Sequence, residues 1–380
     1  MSALSFYVHI PYCVKRCGYC DFNTYTPNEL REGASLQTVS GDYIDAVLQE
    51  LEVAKVEATG TVPTIFFGGG TPSLLPAKDL GRVISAIKER WGLTPECEIT
   101  LEANPDSVDQ EKLSQFREAG FNRISFGMQS VKPHVLKVLD RTHNPESVAR
   151  VVHDAKSAGF QSVSLDLIYG TPGESLDDWR ASVEAALSLP IDHLSAYALI
   201  VESGTKLAAQ IKRGDLSMPD DDLMADMYLL VNELCEAVGL SWYELSNWSK
   251  AGHESQHNIA YWKNADWWGL GPGAHSHVQG VRWWNVKHPN LYKENLRNGI
   301  SIVHDRELLT QSQHQDEAIM LSIRLREGIS HKDLTEIQKK RAIGYVTTGH
   351  LSDSGWKSGR VQLTPQGRLI ADRIVRELVV

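Results

Sequence analysis

Three cysteines fall within eight residues near the amino terminus, Cys13, Cys17 and Cys20, in the run CVKRCGYCDF. Their spacing confines three thiolates to a single loop, so all three can converge on one object a few ångströms across. A zinc ion would need a fourth Cys or His to close its tetrahedron. Neither Cys97, inside a strand-like run, nor Cys235, on a helical apolar face, has a spaced companion. Lys15, Arg16 and Asp21 make the segment too polar for three cysteines of an ordinary core. The remaining chemistry is a cubane 4Fe-4S cluster held at three irons, with the fourth iron left for another ligand.

Only five cysteines occur in 380 residues. That odd and uneven distribution argues against a disulfide framework and for metal binding in a reducing compartment, the cytoplasm by default. The opening MSALSFYVHIPYC lacks a basic region, an apolar run and a small-residue cleavage site, so a signal peptide is not expected. No run approaches the roughly 18 apolar residues that a membrane span needs. The net charge of −10 gives no footprint for a polyanion, and nucleic acid is not an expected partner.

The elements that must position this loop read as strand then helix, repeated. Apolar runs suited to buried strands lie at 5–10, 64–69, 98–103, 123–128, 163–169 and 193–200. Helical periodicity follows at 42–57 and 78–91, and then in a segment opened by a Ser107 and Gln110 capping box and closed by Gly120. A further helix starts at Asn144-Pro145 and stops at Gly159, and two more are marked by Leu176 to Leu187 and Leu223 to Leu234. The strand candidates carry small or polar residues at or near their ends: the cysteine loop, GGGTP, EANPD, QS and Asp166. Sites spread over many strand ends suit a barrel better than a doubly wound sheet, which gathers them at one switch point. The expected fold is α/β, a partial TIM-like (β/α)6 barrel.

Past residue 240 the pattern changes. LSWYELSNW reads as one further strand, and 253–285 is rich in Trp, His and Gly without regular periodicity. The tail reads as a helix through DEAIMLSIRLREGI, a helical stretch over 331–350, a hairpin GWKSGRVQLT and a final helix PQGRLIADRIVREL, an arrangement similar to a winged helix. The expected units are a barrel core over 1–240, a barrel extension over 241–304 and a helical or winged tail over 305–380. The tail's twelve Lys/Arg against ten Asp/Glu weigh against a DNA-binding role.

CxxxCxxC after a first strand, followed by a Gly-rich second strand end, resembles the radical S-adenosylmethionine superfamily. In that superfamily the cofactor chelates the open iron through its amino and carboxylate groups. YVHIPYC, FFGGGTPS, LEANPDS, RISFGMQS and LDLIYGTPG narrow the resemblance to the oxygen-independent coproporphyrinogen III oxidase-like branch, over nearly the whole chain. The resemblance implies that Tyr7 and Tyr19 flank the cluster and cofactor, and that Gly69, Gly70 and Thr71 let backbone approach its methionine part. It also implies that Glu102 accepts hydrogen bonds from the cofactor, and that Gln129, Arg141 and Asp166 line the rest of the pocket.

Within that branch the dehydrogenating enzymes carry a fourth cysteine two residues after the third, where this chain has Phe22. The group with Phe there is that of the HemW-type haem chaperones, which bind haem and pass it to acceptor proteins. HNIAYW, residues 257–262, is similar to the HNxxYW motif of that group. His257 is the first candidate for the haem iron and His275 the second, with Tyr261, Trp262, Trp267 and Trp268 as flat apolar surface for a porphyrin. His143 and His153 are expected at the surface, Cys97 and Cys235 in the core. The expected partners are haem and a haem-acceptor protein, with peripheral contact to membrane-bound acceptors and a homodimer as further candidates. The competing expectation is oxidative decarboxylation of coproporphyrinogen III, which would use the same cluster, glycine and glutamate positions.

Overall fold

The computed structural model describes residues 3–141 and 143–379. Six strands, β1 (Ser5–Ile10), β2 (Val62–Gly69), β3 (Leu93–Ala103), β4 (Arg123–Gln129), β5 (Ser162–Tyr169) and β6 (His193–Ala198), pair side by side in chain order and all run parallel. The helices Tyr43–Glu57, Ala77–Trp91, Gln110–Glu118, Pro145–Ser157, Leu176–Leu187 and Asp221–Ala237 alternate with them. Strand order that never reverses leaves no switch point, and right-handed crossovers then put every helix on one face. This is barrel winding, left open because β1 and β6 do not pair with each other.

Side-chain alternation separates the two faces. Phe6, Val8, Ile65, Phe67, Leu101, Ile124, Phe126, Val163 and Leu165 are buried beneath the helices. Tyr7, Phe66, Glu102, Ser125 and Asp166, each next along its strand, face inward and are only half-buried. A barrel closed on a dry core would fill those positions with branched apolar residues. Here the concave face is polar and open.

The sheet continues on both sides, to twelve strands. Against β6 packs an antiparallel hairpin, β7 (Ser241–Glu244) and β8 (Asn247–Ser249), where the sequence had suggested one strand; Leu245 and Ser246 make the turn. Against β1 lies β9 (Trp267–Leu270), parallel to it, followed by antiparallel β10 (His275–Val278), β11 (Val281–Asn285) and β12 (Val303–Leu308). The stretch 253–285, expected to be irregular, therefore holds three strands and the helix Gln256–Trp262. Strands of four or five residues are too short for periodicity to register.

The third helix starts from Asp109, whose side chain accepts from Lys112 N, not from a Ser107 capping box; Ser107 belongs to the short 3-10 turn Pro105–Ser107. The boundary expected at 305 falls inside β12, and the tail's own core begins with the helix Gln311–Ser322. Ile319, Ile323, Leu334, Ala342, Leu351 and Ile374 build that core. The expected hairpin at 355–364 is instead the end of a short helix, Asp353–Lys357, and β14 (Arg360–Val361), whose partner is β13 (Ile329–Ser330). The last helix breaks into Pro365–Leu369 and Ala371–Val379. Among the described residues no helix is long and apolar enough to cross a membrane.

Candidate cofactor site

The three cysteines sit on the loop that leaves β1 at the carboxyl end of the barrel. This loop is tied at several points: Cys13 N donates to Tyr25 O (3.0 Å), Tyr25 N to Pro11 O (2.7 Å), Gly18 N to Leu139 O (3.3 Å) and Leu207 N to Gly18 O (2.8 Å). Asp140 pairs with Lys15 on the loop (3.6 Å) and with Lys206 at the start of the helix Lys206–Arg213 (2.6 Å). All three thiols are free and half-buried. Among the described residues no group of three or more His, Cys, Asp or Glu is close enough to hold a single metal ion.

Side-chain donors lie against the sulfurs of this loop. Thr71 Oγ1 donates to Cys13 Sγ at 3.8 Å and Arg141 Nη1 to Cys17 Sγ at 3.6 Å. Burial pushes the Cys13 thiol up to about 11, so a ligand with positive charge would be needed to hold it as thiolate. Tyr19 packs against the buried cluster that includes Val135, Leu139 and Leu207, and burial beside Cys17 raises its hydroxyl pKa. Phe22 lies at the outer end of the loop, 63% exposed.

Glycines shape the wall next to this loop. A Cβ on Gly69 (φ +107°) would meet the His9 ring at 2.4 Å, and one on Gly70 would meet Tyr12 O at 2.5 Å. The missing side chains let β2 lie directly against β1, with Gly70 N donating to Ile10 O and Thr71 N to Tyr12 O. His9 Nε2 donates to Asn23 O (2.9 Å), so Nδ1 is the acceptor for Tyr7 Oη (3.0 Å). Burial lowers His9 to about 4, which keeps it neutral.

Two carboxylates face each other across the concave surface. Glu102 accepts from Gly69 N (3.2 Å), and burial, then the nearby Asp166, raises it to about 8. Asp166 accepts from Ser125 Oγ (2.9 Å) and is also raised, burial outweighing its hydrogen bonds. Gln129 adopts positive φ (+61°) at the end of β4, and its buried Oε1 has no partner among the described residues. An orphaned acceptor, a neutral acid and a wall of glycines form a cradle with hydrogen-bonding capacity left over. Such a cradle fits a polar, partly cationic cofactor beside a three-cysteine cluster.

The HNIAYW segment lies elsewhere. The helix Gln256–Trp262 plugs the amino-terminal end of the barrel, with Gln256 N and His257 N both donating to the Glu98 carboxylate (3.1 and 3.0 Å). Glu98 in turn faces Arg123 (3.7 Å), which donates to His253 O (2.8 Å). His257 is 1% exposed, stacked on Phe66, with Nδ1 against Thr64 Oγ1 (2.7 Å) and Nε2 against Tyr261 Oη (2.9 Å). Both ring nitrogens are therefore engaged, and burial lowers its pKa to about 3. Tyr261 packs edge-on against Trp267, while Trp262 lies under the Arg324 guanidinium.

His275 is placed differently. The strand register puts Trp267, Gly269, His275, His277, Arg282 and Trp284 on the same face as Tyr7, a lateral extension of the concave surface. His275 is exposed and stacks on Trp284 (5.5 Å, 23°), and its ring makes no hydrogen bond among the described residues. Trp268 points to the other face, buried against Trp283. His143, expected at the surface, is buried at 6% exposure, and burial lowers it to about 4; His153 is exposed as expected. Cys97 and Cys235 are buried. A lone histidine gives no spacing signal, so sequence alone could not separate His143 from His153.

The sequence profile of the Radical SAM superfamily matches residues 7–186. The chain is 46% identical over 376 residues to a protein named heme chaperone HemW of Mycobacterium tuberculosis (strain ATCC 25618 / H37Rv), covering 98% of this chain and 94% of that one. A protein of the same name from Bacillus subtilis (strain 168) is 35% identical over 379 residues, covering 97% of each. Among solved structures, coproporphyrinogen III oxidase (HemN) from Escherichia coli superposes with a TM-score of 0.83 over 100% of this chain and 90% of that one, at 21% identity. That likeness shows the fold: an α/β radical-SAM partial barrel with a carboxyl-terminal domain. With relatives matched almost end to end and the superfamily profile lying on the barrel that carries the cysteine loop, the chain belongs to the HemW family of radical S-adenosylmethionine proteins.

Proposed function

We propose that this protein binds haem and delivers it to an acceptor protein, carrying a 4Fe-4S cluster on Cys13, Cys17 and Cys20 and S-adenosylmethionine in the adjoining cradle. The observation that carries this reading is the 46% identity, over nearly the whole chain, to a protein named for haem chaperoning. Phe22 supports it locally, since the position where dehydrogenating relatives have a cysteine is an exposed aromatic ring. When bound, the cluster would supply an open iron for the cofactor's amino and carboxylate groups. Tyr7, Gly69, Gly70, Thr71, Glu102, Gln129, Arg141 and Asp166 would line that cofactor, with the neutral Glu102 able to donate as well as accept.

For haem, His275 is the better-placed ligand, because its ring is accessible and already stacked on Trp284. His257, with Tyr261 and Trp262, would then hold the barrel floor beside that lateral extension of the concave surface. We assign the barrel core to 1–240, its extension to 241–304 and the tail to 305–380, the tail's core starting at the helix Gln311–Ser322. The proposed setting is cytoplasmic, where reduced thiols persist. Self-association into a homodimer and peripheral contact with membrane-bound acceptors belong to the same proposal.

The test is anaerobic reconstitution of the cluster, addition of haem, and an absorption spectrum alongside an assay for protoporphyrinogen formation from coproporphyrinogen III. A stable haem spectrum without product is expected. Product with no stable haem spectrum would sink the chaperone reading.

A further inference from the structure

Two cluster cysteines are joined through one side chain that touches neither. Asn104, just past the end of β3, accepts from Arg141 Nη2 at its Oδ1 (2.8 Å) and donates from its Nδ2 to Thr71 Oγ1 (3.2 Å). Thr71 Oγ1 in turn donates a hydrogen bond to Cys13 Sγ, and Arg141 donates with its other nitrogen to Cys17 Sγ. The directions are fixed by chemistry. A guanidinium only donates, so it selects the amide oxygen; the amide nitrogen then faces Thr71, occupies a lone pair of its hydroxyl, and leaves the hydroxyl proton for sulfur.

The surroundings hold this arrangement in place. Arg141 Nη2 also donates to Gly127 O (2.9 Å), and a Cβ on Gly127 would approach that nitrogen at 3.1 Å. Asn104 O accepts from Ser107 N (2.9 Å) and from Ser107 Oγ (2.7 Å), which fixes its backbone at the mouth of a short 3-10 turn. Aspartate at 104 would keep Arg141 but offer Thr71 an acceptor, drawing the hydroxyl proton away from Cys13. Only an amide serves both sides.

We infer that Asn104 is a positioning residue that sets the reduction potential of the cluster by holding Thr71 and Arg141 as hydrogen-bond donors to Cys13 and Cys17. Hydrogen bonds to cluster sulfurs stabilise the more negative, reduced state and raise the potential. The inference rests on the cluster being carried by these cysteines.

The experiment is an EPR-monitored redox titration of the anaerobically reconstituted full chain, without S-adenosylmethionine, for wild type, Asn104→Leu, Asn104→Asp, Thr71→Val and the Asn104→Leu/Thr71→Val double variant. Iron and sulfide content and a thermal melt are measured on each sample. Asn104→Leu is expected to shift the midpoint potential negative by more than Thr71→Val, and the double variant to match Asn104→Leu alone. Thr71→Ser, prepared alongside them, keeps the hydroxyl and should keep the wild-type potential. An Asn104→Leu cluster assembled with wild-type iron content and wild-type potential would overturn the inference, whatever the melt shows. If Asn104→Leu takes up no cluster, Thr71→Val and Asn104→Asp decide: wild-type potentials in both overturn it, negative shifts in both uphold it. A wild-type chain that takes up no cluster removes the reading of the cysteines, and the inference with it.

Discussion

His257 and His275 stand in opposite physical situations, and mutation should separate them. His257→Ala would open a cavity under Phe66 and remove the partner of Tyr261 Oη, while Thr64 Oγ1 would keep its bond to Ser5 Oγ. A cost of about 2–4 kcal/mol in unfolding free energy is expected, measured by urea titration. His275→Ala removes an exposed ring and should stay within about 0.5 kcal/mol of wild type. Under the proposed function it should weaken haem binding by at least about tenfold, read by spectral titration; an unchanged haem spectrum would rule His275 out as ligand. Gly69 makes a separate case at this scale. Gly69→Ala puts a methyl group into the His9 ring at positive φ, so a loss of more than about 1 kcal/mol is expected by the same titration.

The helix Gln256–Trp262 is held at its start by one carboxylate, Glu98, which also neutralises the buried Arg123. Removing that carboxylate uncovers two helix amides and a buried cation together. Glu98→Ala should therefore cost about 3–5 kcal/mol, while Glu98→Gln, which keeps an acceptor for one amide, should cost less. Limited proteolysis should show new cleavage between 250 and 266 in Glu98→Ala; protection equal to wild type would mean that the helix is seated by its aromatic packing alone. The difficulty of reading this element from sequence has the same origin. Six parallel strands and their helices were legible because each buries a continuous apolar run or stripe, as in Ile65 and Phe67 or Val83 and Ile87. The plug, β9 and the β7–β8 hairpin are short and mix Trp, His and Gly, so neither the period of 2 nor that of 3.6 has room to appear. Their positions are decided by partners far away in the chain, Glu98 and Ser5 among them.

Over the whole molecule, the site was legible where residue types were diagnostic and illegible where only contact decides. Three cysteines and a glycine triplet mark the candidate site by residue type; that Asn104 links Thr71 to Arg141 depends on a fold no spacing encodes. The same buried polar groups also fix how the molecule responds to pH. Burial lowers His9 and His143 to about 4 and His257 to about 3, and lowers His193 as well. Between those values and about 6.5 the unfolded chain binds the extra protons, so these histidines make stability rise with pH. Burial raises Glu50, Glu174 and Glu244 to about 7 and Glu102 to about 8. From about 4.5 upward the folded chain holds protons that the unfolded chain has lost, so these acids make stability fall with pH until each ionises in the fold. Below about 6.5 the two sets oppose each other; above it only the acids remain. The cluster-free protein should accordingly lose on the order of a few kcal/mol between pH 6.5 and 8, measured by urea unfolding at fixed ionic strength. Glu102→Gln, which cannot ionise, should gain on wild type steadily across that interval. Parallel curves for the two proteins from pH 6.5 to 8 would show that Glu102 is already ionised in the folded state.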